Sequence, residues 1–137
     1  MGKLIERLQD ASRSGVYRAP SVDVVVDAVR ASGLDLAHIR FAEKAALLKN
    51  IATALAFPSW FGANWDALED CLADLSWREA GGYVLLFEQA QAGDDFGVLA
   101  DVLRSAAEYW AGRGKPFFAV FVDPAHRLPL PELYRGK

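Results

Sequence analysis

A chain of 137 residues, 53% apolar and 24% charged, is sized for one domain with a core that needs neither disulfide nor metal. No apolar run approaches the ~18 residues of a membrane span, the opening Met1-Gly2-Lys3-Leu4-Ile5-Glu6-Arg7 is too charged for a secretion signal, and a single cysteine, Cys71, has no partner within the chain. The net charge of −3 is uneven: residues 66–101 hold nine acids against one base, net −8, and the rest hold nine acids and fourteen bases, net +5. A segment that acidic repels nucleic acid and attracts basic partners. The expectation is a cytoplasmic protein, monomeric when free, with no direct contact to nucleic acid or membrane.

In chain order, residues 1–15 predict a frayed arm or short helix, and Val16-Tyr17-Arg18 a short edge strand before Pro20. From Ser21, a good N-cap, Val22, Val25, Val26 and Val29 recur at helical spacing until Gly33. A strand is expected over Leu34–Ile39. Leu47, Leu48, Ile51, Ala52 and Leu55 then mark one face of a helix near 42–56, which Phe57-Pro58 must end. Trp60-Phe61-Gly62 reads as a turn, with Gly62 free to take a positive φ, and a further helix is expected over 64–75. Tyr83–Phe87 and Phe117–Val122 are unbroken apolar runs, as in strands covered on both faces. A helix near 95–111, apolar at Phe96, Leu99, Val102, Leu103, Ala106 and Trp110, joins them and implies parallel pairing. The fold class is therefore α/β: a small parallel sheet of three to four strands packed by helices, in one domain.

The helix after Asn64 is divided by charge. At about 100° per residue, Asp66, Asp70 and Asp74 fall within roughly an 80° arc, with Glu69 to one side. Cys71, Leu75, Leu68, Leu72 and Trp65 fall on the opposite side, and Asn64 is a good N-cap. Geometry alone leaves open an ordinary solvated face. Against that, Asp66–Asp70 and Asp70–Asp74 are like-charge i, i+4 pairs, each costing about 0.2–0.5 kcal/mol, with no lysine or arginine among them.

The stretch Trp60-Phe61-Gly62, Asn64, Asp66-Ala67-Leu68, Asp70-Cys71-Leu72 and Trp77 resembles the signature of the barstar family. The resemblance covers residues 34–122 as a core, leaving 1–33 as an N-terminal extension and 123–137 as an irregular tail. It implies a barstar-like fold; no enzyme activity and no cofactor are expected, because no residue cluster offers a nucleophile with its base or a metal cage. The implied function is inhibition of a barnase-like ribonuclease, a basic extracellular-type enzyme, by an acidic helix placed in its active site. It assigns partner contact to Trp60, Gly62, Asn64, Asp66 and Asp70, which Asp74 joins from the wheel. A family tryptophan between the two aspartates is here Glu69. A family acidic contact on the long C-terminal helix has no clear match, Ser105 and Glu108 lying nearest.

Other residues add little chemistry. His38 and His126 are isolated, with no nucleophile and base in sequence, and Cys71 on the apolar face reads as a buried inert thiol. Two rival functions are a Mg²⁺-dependent enzyme using Asp66, Asp70 and Asp74, and an interaction domain that inhibits nothing.

Overall fold

In the computed structural model, which describes residues 2–134, the elements follow in order: α1 (Gly2–Leu8), β1 (Gly15–Ala19), α2 (Val22–Ser32), β2 (Asp35–Arg40), α3 (Lys44–Ala54), α4 (Trp65–Leu72), β3 (Tyr83–Glu88), α5 (Asp94–Ala111) and β4 (Phe117–Val122). The four strands form one sheet in the order β1-β4-β3-β2, and every pairing is parallel. The two unbroken apolar runs occupy its centre. The fold is the expected α/β class, with a parallel sheet of four strands.

Alternation in the strands divides the core. Tyr83, Leu85 and Phe87 of β3, with Phe117, Ala119 and Phe121 of β4, point to the layer formed by α3, α4 and α5. Val84, Leu86, Phe118 and Val120 point the other way, against Leu4 and Leu8 of α1 and Val25, Ala28 and Val29 of α2. Period-two side-chain direction in a strand covered on both faces produces this division. No helix among the described residues is long and apolar enough to cross a membrane.

Residues 2–33, an addition to the core by sequence, cover the second face of the sheet. β1 pairs with β4 from Gly15↔Phe118 to Ala19↔Val122. α2 has the expected caps: the Ser21 side chain accepts from Val24 N–H, and Gly33 takes φ 75°. The tail is irregular in backbone yet packed: Leu128, Leu130 and Leu133 are buried, and Arg18 N–H donates to Pro131 O at 2.8 Å along the outer edge of β1.

Two local expectations are corrected. α4 ends at Leu72 and not at residue 75, because Leu75 takes φ 50° while being drawn into the core at 1% exposure. Burying a leucine contributes about 1.5–3 kcal/mol, which offsets a left-handed backbone cost of roughly 1–2 kcal/mol. The positive φ in the turn before α4 belongs to Ala63, at 54°, and not to Gly62.

Candidate functional site

The candidate surface is built on a loop and one short helix. After α3 the chain runs through Ala56 (φ 53°) and returns to α4 at Ala63 (φ 54°). Aromatic rings brace it. Phe57 lies edge-on to Phe61 at 4.9 Å and to Trp77 at 5.8 Å, while Trp77 Nε1–H donates to Leu55 O at 3.1 Å. Trp60 stands on this brace, edge-on to Trp77 at 6.4 Å, and remains 63% exposed. An indole held in place yet open to solvent offers contact area with little left to order on binding.

Asn64 anchors the start of α4. Its side-chain oxygen accepts from Ala67 N–H at 2.8 Å, and its amide faces Gly62 O at 3.4 Å. A Cβ on Gly62 would lie 3.3 Å from that amide, so the glycine serves by leaving room for the cap. Sequence reasoning found the residue and mistook its reason.

On α4 the apolar face is closed and the acidic face open. Leu68, Cys71 and Leu72 are buried, and the Trp110 Nε1–H of α5 donates to Leu72 O at 2.7 Å, pinning the helix from behind. Asp66, Glu69 and Asp70 are exposed. Asp74 is exposed too but lies beyond the helix, where it accepts from Ser76 N–H at 3.3 Å; it is beside the acidic face and not on its third turn. Among the described residues none of these four carboxylates joins an ion pair. Burial raises the Cys71 thiol above its usual range, and the charges of Asp74 and Asp70 push the same way.

The remaining sequence candidates fall outside the patch or only border it. Trp65 and Trp77 are half-buried against the core, with the Lys44 ammonium 5.8 Å from the Trp65 ring. Ser105 and Glu108 are exposed on α5. His38 pairs with Glu88 across the sheet edge, and His126 is exposed in the tail. No group of three or more described His, Cys, Asp and Glu side chains is gathered closely enough to hold a metal ion, so Asp66, Asp70 and Asp74 form an open surface and not a cage.

Sequence reasoning missed the destination of Arg78. This residue, the one base of the acidic segment, donates from Nε and Nη2 to both carboxylate oxygens of Asp35. The two are 43 positions apart, and no periodicity connects them.

Compared with known proteins, residues 30–122 match the sequence model of a family described as barstar, barnase inhibitor. No curated protein matches the chain.

Proposed function

Because the chain belongs to the barstar family, we propose that it inhibits a barnase-like ribonuclease by closing the active site with the acidic face of α4 and the loop before it. It acts as a binding protein, without catalytic residues or a cofactor of its own. The observation that carries this reading is the condition of Asp66 and Asp70: two exposed carboxylates on a helix pinned from behind, neither of them ion-paired among the described residues.

The chemistry follows from what a ribonuclease must do. Its active site gathers cations to hold a phosphate and the charge that develops on it. Carboxylates presented on a rigid helix satisfy those cations without offering a bond to cleave, and arginine–carboxylate pairs add two-point geometry. Trp60 supplies an aromatic anchor beside the charges, the type of residue that concentrates binding energy. Asn64 and Gly62 set the angle at which the helix leaves the loop, and Asp74 extends the negative surface. The acidic segment as a whole steers a basic enzyme to the correct face. A buried free Cys71 suits action in the cytoplasm, against a ribonuclease whose own place is outside the cell.

The test is titration of the purified protein into a panel of barnase-type microbial ribonucleases with a fluorogenic RNA substrate. One-to-one loss of activity with at least one enzyme is expected. Capture of a non-ribonuclease partner with no inhibition anywhere would replace this reading with the plain interaction domain. Stoichiometric Mg²⁺ binding with hydrolysis lost in Asp70→Asn would replace it with the enzyme.

A further inference from the structure

The open charge of the proposed inhibitory surface depends on a residue outside it, an inference that rests on the reading above. Arg78 is the single base between residues 66 and 101. It follows Asp74 by four positions, and its N–H donates to Leu75 O at 3.0 Å, so Asp74 and Arg78 flank a tight turn. The nearest exposed carboxylates that precede Arg78 in the chain are Asp74, four positions back, and Asp70 on α4, eight positions back.

Arg78 is instead turned to the sheet. Its Nη2 donates to one oxygen of Asp35 at 3.1 Å and its Nε to the other, at the first residue of β2. The two side chains are only 27% and 23% exposed. The backbone is held as well, since the Tyr83 hydroxyl donates to Arg78 O at 2.9 Å. A two-point pair sheltered to this degree keeps its geometry where an exposed single contact does not.

We propose that Asp35 is a positioning residue for inhibition: by holding Arg78 against the sheet edge, it keeps the guanidinium off Asp74 and Asp70 and leaves those carboxylates for the partner's cations. Asp35 itself touches no partner. Its effect is to remove an internal competitor.

The test compares variants that lose one negative charge each. Asp35→Asn keeps the side-chain shape but loses the charge and one of the two acceptors that hold the guanidinium. Glu79→Gln removes a neighbouring exposed charge and leaves the pair intact. At low salt, Asp35→Asn should associate with the inhibited ribonuclease roughly threefold or more slowly than Glu79→Gln, and the difference should shrink in about 1 M salt, where screening acts within ~3 Å. Asp35→Asn/Arg78→Gln, with no cation left to move, should regain the original rate, which repair of a purely structural defect would not do. Asp35→Ser serves in its place if Asp35→Asn unfolds. Equal rates for Asp35→Asn and Glu79→Gln, or no recovery in the double variant, overturn the inference. A crystal structure of free Asp35→Asn tests it without any partner, so its outcome stands even if no ribonuclease is inhibited. Arg78 within about 4 Å of Asp74 or Asp70 supports the role. Arg78 still at the edge of β2 ends it.

Discussion

Replacing Asp70 by alanine separates binding from stability at one position. Asp70 lies in the last turn of α4, four residues after Asp66, exposed and without an ion-pair partner among the described residues. Its repulsion of Asp66 costs about 0.2–0.5 kcal/mol. A carboxylate near the C-terminal end opposes the helix dipole at a further 0.3–1 kcal/mol or so. Alanine also exceeds aspartate in helix propensity by roughly half a kcal/mol. Because α4 stops at Leu72, Asp74 is no helical neighbour, and the second repulsive pair expected from sequence drops out. Asp70→Ala should therefore be more stable by about 1–2 kcal/mol, raising Tm by roughly 3–6 °C in a domain of this size. Asp70→Asn, which removes the charge alone, should show about half of that. Binding should move the other way, since the partner's guanidinium groups would be left buried and unpaired. The general threshold for an interface hot spot is about 2 kcal/mol, or roughly thirtyfold in affinity. Thermal unfolding and ribonuclease inhibition, measured on the same preparations, check both halves. Undiminished inhibition by Asp70→Ala would show that the acidic face is not the working surface, and a fall in Tm of several degrees would show that Asp70 is structural.

Asn64→Ala should lower stability by about 1 kcal/mol through loss of the cap to Ala67, measurable by urea denaturation, and should weaken inhibition by disturbing the loop beside Gly62. Leu8→Ala, far from the acidic face, should cost about 2–5 kcal/mol with inhibition per folded molecule unchanged, because Leu8 is fully buried against the second face of the sheet. Cys71 should resist a thiol reagent in the native protein and react at once in denaturant. The thiol is raised by burial when folded, so its contribution to stability is intact below the ordinary thiol pKa of about 8.5 and is lost as pH climbs toward the folded value; unfolding midpoints taken from pH 7 to 10 should fall less in Cys71→Ala. Stopped-flow association with the ribonuclease should slow as salt rises, and rates indifferent to ionic strength would remove steering from the mechanism.

Much of this architecture is legible without coordinates, and the parts that are share one property. The apolar runs at Tyr83–Phe87 and Phe117–Val122, the caps at Ser21, Gly33 and Asn64, and the two faces of α4 are local patterns. Each is written within one or two turns or a single strand, where side-chain spacing decides what can be buried. The acidic face is legible for the same reason, and its surplus of charge can be counted directly. Tertiary structure alone decides the features that depend on distant residues. β1 pairs with a strand about a hundred positions away, and residues 2–33 cover the second face of the sheet, because β3 and β4 are apolar on both sides and need a second layer. α4 stops short of Asp74 because the core takes Leu75, the left-handed turn falls on Ala63, and Gly62 leaves space beside Asn64. Arg78 belongs to the acidic segment by position, yet it is neutralised by Asp35 at the first residue of β2. Charge order along a chain says which groups are present; only packing in three dimensions selects which of them meet.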